Sequence, residues 1–337
     1  MSNDYIRKAR LTHSDYLQDD GTYKAMNWND VEDIIDKLTW EKLIEQFWVD
    51  TRVPLSNDLD DWRTLSDEEK DVVEKVFGGL TLLDTMQGET GVSRLRETVR
   101  TQMEDAVLSN IEFMENLHAK SYSSIFSTLN TPAEIDEIFR WTNSNKYLQK
   151  KAQTAIDVYD NGTPLQAKAM SVMLESFLFY SGFYAPLHFL GTNRLPNVAE
   201  IIKLIIRDES VHGTYIGYKF QLGINELPEE EQEELKQWVY DQVYAFYLNE
   251  EKYTELIYDQ VGWTEDVKIF VRYNANKALQ NLGLDPLFPD TADDVNPIIM
   301  NGISTGSSNH DFFSQVGNSY LVGQVEAMSD DDYLNFT

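Results

Sequence analysis

A chain of 337 residues can bury a substantial core as one large helical domain or two ordinary ones, and a content of 42% hydrophobic and 12% aromatic residues fits a folded globular protein, not a disordered or fibrous one. A formal charge of −29 argues against nucleic acid and anionic membranes as partners, because binding phosphates needs clustered Lys and Arg. The chain has no cysteine, which removes disulfides, zinc-thiolate sites, iron-sulfur clusters and thiol nucleophiles, so any metal must sit on oxygen and nitrogen ligands.

The start, Met1-Ser2-Asn3-Asp4, lacks a basic region followed by an apolar stretch, so no secretory signal is expected and a cytoplasmic address follows. Trp40, Leu43, Ile44, Phe47 and Trp48 recur at helical spacing and predict a short amphipathic helix over 40–48. Ser66, with Glu69 three residues on, reads as a capping box opening a helix through Phe77, Leu80 and Asp84, weakened locally by Gly78 and Gly79.

Further apolar periodic segments cover roughly 102–129, 132–160, 165–183, 197–222, 229–258 and 264–282, and all read as helices. Pro132, Pro164, Pro186, Pro196 and Pro228 stand where helices should start or stop, and hairpin signals are missing, so the chain is expected to be all-α. The acidic run Glu229 to Glu234 reads as a solvated helix face. The most apolar stretch, 174–191, is too short and too polar to span a bilayer. From about Asp290 the composition resists burial, which divides the chain into a helical domain over 1–289 and a flexible tail over 290–337. The tail keeps Phe312, Phe313, Tyr320, Leu321, Val322, Tyr333, Leu334 and Phe336, more apolar residues than solubility requires, and so reads as a segment that orders on a partner.

Two predicted helices carry the same tetrad type, Glu115-Asn116-Leu117-His118 and, 94 positions later, Glu209-Ser210-Val211-His212. A Glu and a His three apart on a helix share a face with their heads close enough to bind one ion or bridge two. Each pair is surrounded by apolar residues, and buried carboxylates without compensation are too costly to keep, so a cation is implied. Ferritin-like bundles meet that need with two such helices and one further carboxylate from each of two others. Glu175, a lone charge in an apolar helix, is one candidate. Asp84, following Leu80, Leu82 and Leu83, is the other, although a cap or exposed residue would read the same on spacing alone. Four carboxylates and two neutral imidazoles balance two divalent cations, and oxygen-rich ligation suits iron or manganese. Tyr122, four residues after His118, falls on the stripe of both ligands, where an ordinary core tyrosine is the competing reading. Phe179, Phe183 and Ile205 could make a dry pocket around its ring. His13, His188 and His310 lie outside these motifs and read as structural or exposed.

The sequence resembles the small, radical-generating subunit of class I ribonucleotide reductase, in particular the class Ib form, over nearly its whole length. The likeness is carried by Gly79-Leu80-Thr81-Leu82-Leu83-Asp84, by MENLHAKSYSSIFST at 114–128, LESFLFYSGF at 174–183, IIRDESVHGTYIG at 205–217 and SYLVGQ at 319–324. It implies a ferritin-like helical bundle with additional helices, a dinuclear manganese or iron centre held by Asp84, Glu115, His118, Glu175, Glu209 and His212, and a stable tyrosyl radical on Tyr122. It further implies a route for the oxidising equivalent past His118 and Asp208 to Trp48 and on through Tyr320 to a large subunit that reduces ribonucleoside diphosphates. By themselves Trp48 and Asp208 read only as core and exposed residues. The implied partners are a second copy of the chain, the large subunit docked on the tail around Tyr333, Leu334 and Phe336, and a flavodoxin-like activator. A dimetal oxidase or desaturase, or a passive metal-binding bundle, would use the same ligands.

Overall fold

A computed structural model describes residues 22–304; Tyr320 and the other tail residues from 305 on, with His13 and His310, lie outside the described residues. Every extended element among the described residues is helical, and no helix is long and apolar enough to cross a membrane.

Helix α1 spans Ile34–Glu45, α2 Leu59–Thr64, α3 Asp67–Met86, α4 Val92–Arg96, α5 Gln102–Leu129, α6 Pro132–Ser144, α7 Lys146–Asn161 and α8 Pro164–Met173. After a π-helical turn over Leu174–Leu178 come α9 Tyr180–Gly191, α10 Pro196–Ile224, α11 Glu229–Tyr258, α12 Thr264–Asn281 and α13 Pro297–Ser304. A second π-turn, Gln87–Gly91, links α3 to α4.

Start signals explain most boundaries. Ser66 and Glu69 form the expected capping box of α3, and Thr131 with Glu134 and Thr163 with Gln166 do the same ahead of Pro132 and Pro164. Helix α10 has no cap of its own, because Leu195 stands before Pro196 with φ +49°. Asp58 supplies it from a distance, accepting from the amides of Asn197 and Val198 at 2.9 and 2.7 Å. Pro186 lies inside α9, not at a boundary.

The helix expected over 40–48 instead starts at Ile34, where Asp33 accepts from the Ile35 amide, and stops at Glu45, so Trp48 falls beyond its end. The segment expected as one rod over 132–160 is broken at Asn145, whose side chain caps α7 through the Tyr147 and Leu148 amides. Helix α3 runs unbroken through Gly78 and Gly79. A Cβ at either would meet Thr142 Oγ1 or the Tyr253 hydroxyl at 2.4 and 2.3 Å, so the glycines admit close approach of α6 and α11.

Four rods enclose the centre in a ring: α3 packs on α5, α5 on α10, α10 on α8 and α9, and α9 back on α3. Helices α7, α11 and α12 form an outer layer over α8, the Leu174–Leu178 turn and α9. Helix α1 is tied to α10 by buried charge, Lys219 Nζ lying 2.6 Å from both Asp33 Oδ2 and Asp36 Oδ1. The packed body does not end at 289: Asp290 pairs with Arg272 at 2.7 and 2.8 Å, Val295 and Ile299 are buried, and α13 lies on α9.

Candidate metal centre

Each rod of the ring delivers its acid inward. Asp84 comes from α3, Glu115 and His118 from α5, Glu175 from the π-turn before α9, and Glu209 and His212 from α10, all 0–1% exposed. The three-residue spacing does what helical geometry requires, setting each Glu beside its His.

The ligand atoms form two groups, Asp84, Glu115, His118 and Glu209 on one side and Glu115, Glu175, Glu209 and His212 on the other, with all atoms of a group within 4.8 Å of one another. Glu115 and Glu209 belong to both and are therefore placed to bridge. His118 Nδ1 lies 3.4 Å from Asp84 Oδ1 and 3.0 Å from Glu209 Oε1. His212 Nδ1 lies 2.9 Å from Glu115 Oε1 and 3.4 Å from Glu175 Oε2.

Among the described residues, buried side-chain atoms without a hydrogen-bond partner concentrate here: both oxygens of Asp84, Glu115 and Glu209, Oε2 of Glu175, and Nδ1 of His118 and His212. Unmet acceptors at this density are costly unless a cation satisfies them, so the donor set fits two divalent ions. Without metal, protons take that part. Burial, with the charge of Glu175, pushes the Glu115 carboxyl up to about 8, and burial lifts Asp84 to about 6. Glu209 is driven well above the usual carboxylate range by burial and by Glu115 and Glu175. Burial would raise Glu175 as well, but hydrogen bonds from Glu209, His212 and Gln87 hold it below the ordinary value.

Around these ligands stands one residue that the sequence did not single out, Gln87, with Asp208 and Trp48, which only the family resemblance had named. Gln87, in the π-turn between α3 and α4, donates to Glu175 Oε1 at 2.5 Å and to Ser171 at 2.7 Å, and its side-chain carbonyl accepts from Tyr159 at 2.6 Å. A neutral amide after a helix gives no sequence signal that distinguishes it from a surface residue. Asp208, read from sequence as exposed, is 0% exposed. Its Oδ2 lies 3.2 Å from His118 Nε2 and accepts from Trp48 Nε1 at 2.6 Å, while Gln46 donates to Oδ1 at 2.9 Å. The Trp48 and His118 rings are stacked with centroids 6.1 Å apart.

Tyr122 is fully buried on α5, its hydroxyl has no hydrogen-bond partner, and burial with the nearby Asp84, Glu209 and Glu115 charges holds the phenol neutral. The ring stacked on it is Phe77, centroids 5.7 Å apart, seven residues before Asp84 on α3. Phe179 and Phe183, expected around the phenol, are buried and pair edge to face at 6.3 Å; Phe183 also meets Tyr180 at 5.3 Å, and Ile205 is buried. His188 lies against Trp263, ring centroids 4.0 Å apart and planes tilted by 33°, and belongs to neither ligand group.

Residues 25–297 match the family described as ribonucleotide reductase, small chain. The ribonucleoside-diphosphate reductase subunit beta of Mycobacterium leprae is 51% identical over 310 residues, 92% of this chain and 95% of that one. The ribonucleoside-diphosphate reductase 2 subunit beta of Escherichia coli is 47% identical over 310 residues, 92% and 97% of the two chains. Among solved structures, the dimanganese(II)-NrdF of Streptococcus sanguinis superposes with a TM-score of 0.83 at 73% identity, covering 83% of this chain and 99% of that one.

Proposed function

The chain belongs to the ribonucleotide reductase small-chain family, and from that footing we propose that Tyr122 carries its radical and that Asp84, Glu115, His118, Glu175, Glu209 and His212 hold its dinuclear metal centre. As a class Ib small subunit it generates the radical used, with a large subunit, to reduce ribonucleoside diphosphates to deoxyribonucleotides. Family membership sets aside the desaturase and passive-bundle alternatives.

The observation that carries the residue assignment is the sharing of Glu115 and Glu209 between two four-ligand groups, next to a buried phenol whose hydroxyl is free of partners. Held by these residues and raised above the divalent state by an external oxidant, two ions would supply the oxidising equivalent that takes one electron from a neighbouring phenol. The protein's part is to keep Tyr122 protonated beforehand, dry, and packed by Phe77, so that the oxidised ring meets neither water nor reductants. His118, Asp208 and Trp48 then give the electron a hydrogen-bonded way in from the surface side of α1.

Tyr320, outside the described residues, is proposed to continue that route, and the segment around Tyr333, Leu334 and Phe336 to dock on the large subunit. The Streptococcus sanguinis relative is a dimanganese(II) protein, and manganese is proposed here, with iron able to fill the same ligands. A homodimer, a flavodoxin-like activator and a cytoplasmic address complete the reading.

Electron paramagnetic resonance of metal-loaded, activated protein tests it. A tyrosyl signal in the wild type that vanishes in Tyr122→Phe is expected, and an activated wild type without one would overturn the assignment.

A further inference from the structure

Outside the metal site, a second buried cluster is engaged with the segment that carries Glu175. Lys151 on α7 and Glu250 on α11 are 1% and 0% exposed, and Nζ lies 2.5 Å from Oε1. The same ammonium sits 4.5 Å above the Tyr253 ring and donates to the Leu178 carbonyl at 3.5 Å. Leu178 is the last residue of the π-turn. At the end of that turn the Phe179 amide reaches back to the Leu174 carbonyl at 3.3 Å, and three and four residues on the amides of Gly182 and Phe183 both bond to the Phe179 carbonyl at 2.9 and 3.2 Å. The chain thus passes from a wide turn straight into a tight one, and the Leu178 carbonyl is left to the ammonium.

An ammonium offers three donors. Here one goes to the Leu178 carbonyl, while the Glu250 carboxylate pairs with the charge and the Tyr253 ring lies under it, and none of these is a metal ligand. A buried ion pair is weak grounds for stability, since packed apolar residues of the same volume often serve as well. What an apolar pair would lack is a donor for Leu178. Closing the wide turn into regular α-helix would rotate the residues on one side against those on the other by about 100° for the one residue absorbed. Glu175 lies inside the turn and would be carried away from His212 and the bridging acids.

We propose that Lys151, oriented by Glu250, is a positioning residue that fixes the Leu174–Leu178 turn and thereby aims the Glu175 carboxylate at its ion. The inference rests on Glu175 being a ligand. It assigns Lys151 no contact with the reacting groups.

The test is manganese occupancy at each position, measured by anomalous diffraction and by titration followed with electron paramagnetic resonance, in the full chain. Replacing the pair together, Lys151→Met with Glu250→Leu, avoids an unpaired buried charge. Affinity for the ion on the Glu175 and His212 side should fall about tenfold or more, as for other outer contacts of a ligand, while the ion on the Asp84 and His118 side keeps its occupancy. Lys151→Arg, which retains charge and donors, should restore it. Equal loss at both positions, or none, overturns the proposal. Should the double variant fail to fold, Glu250→Gln is judged by the same two outcomes. Glu175→Ala separates the layers: if it leaves both ions in place the ligand assignment itself fails, and if it empties one position while the Lys151 variants do not, only the positioning role fails.

Discussion

Trp48 Nε1 donates to Asp208 Oδ2 at 2.6 Å across 160 positions of sequence, and that same oxygen lies 3.2 Å from the outer nitrogen of His118. A residue past the end of α1 is thereby linked to an imidazole whose other nitrogen faces Asp84 and Glu209. The anchoring is elaborate: Lys219 holds α1 to α10, Gln46 also donates to Asp208, and Arg207 donates to the Gln46 carbonyl.

If this contact serves electron transfer and not folding, Trp48→Phe should leave metal loading and the Tyr122 signal in place while deoxynucleotide formation with the large subunit falls to background. Asp208→Asn, which keeps shape but not charge, should cost about 10- to 100-fold in activity. Both are read by pairing radical quantitation with a turnover assay. Full turnover in Trp48→Phe would remove Trp48 from the route.

Protons and metal compete for the ligand cluster, and the competition has a sign. Glu115 and Asp84 bind protons in the metal-free fold up to about 8 and about 6, above their ordinary 4.5 and 3.8. Burial would lower the His118 imidazole, but its hydrogen bonds to Asp208 and Asp84 and the Glu115 charge carry it up to about 10. Each raised value gives the metal-free fold stability that is complete below the group's unfolded pKa and lost as pH rises through the folded one. Loaded protein has released those protons and escapes the loss. The difference in unfolding temperature between loaded and chelated protein should therefore widen from about pH 6 to about pH 8. Scanning calorimetry at the two pH values decides it; a gap that narrows contradicts the proton-for-metal picture.

The cluster of candidate ligands was readable because helical spacing is one-dimensional: Glu115 with His118 and Glu209 with His212 announce a shared face, and Glu175 is conspicuous as a lone charge in an apolar run. The membership of Glu115 and Glu209 in both groups was not, since it depends on how α5 and α10 face each other. Asp208 follows an apolar stretch but looks like any acid before a ligand, and its burial arises from Gln46 and Trp48 arriving from elsewhere. The π-turn at Leu174–Leu178 leaves no trace in periodicity, because one absorbed residue shifts the apolar pattern by less than the width of a buried helix's face. Pro186 misled as a boundary for a similar reason: α9 is apolar on nearly all sides, and packing holds it together through the proline.

Close approach of α10 and α12 is set by Gly217, where a Cβ would fall 2.3 Å from the Asn281 carbonyl oxygen and 2.8 Å from its carbon. Backbone cannot move aside as a side chain can. Gly217→Ala should therefore destabilise the fold by about 1–3 kcal/mol through overpacking. A chemical denaturation midpoint equal to wild type would show that the two helices separate freely.

Phe77 is the residue on which the lifetime of the radical should depend. Its ring lies over Tyr122 at 5.7 Å with 24° between planes, and both are fully buried. Phe77→Ala removes that cover and leaves a cavity beside the phenol, at a cost of about 3–5 kcal/mol, which a chain with so large a core should survive. Metal binding should be spared, because Phe77 is two helical turns from Asp84 on α3 and belongs to neither ligand group. The tyrosyl signal should form and then decay faster than in wild type, more so when a small water-soluble reductant is added, since an opened cavity admits it. Following the decay in both proteins, with and without the reductant, separates cover from mere stability: a Phe77→Ala protein that unfolds more easily yet holds its radical as long as wild type would show that Tyr122 is shielded by other residues.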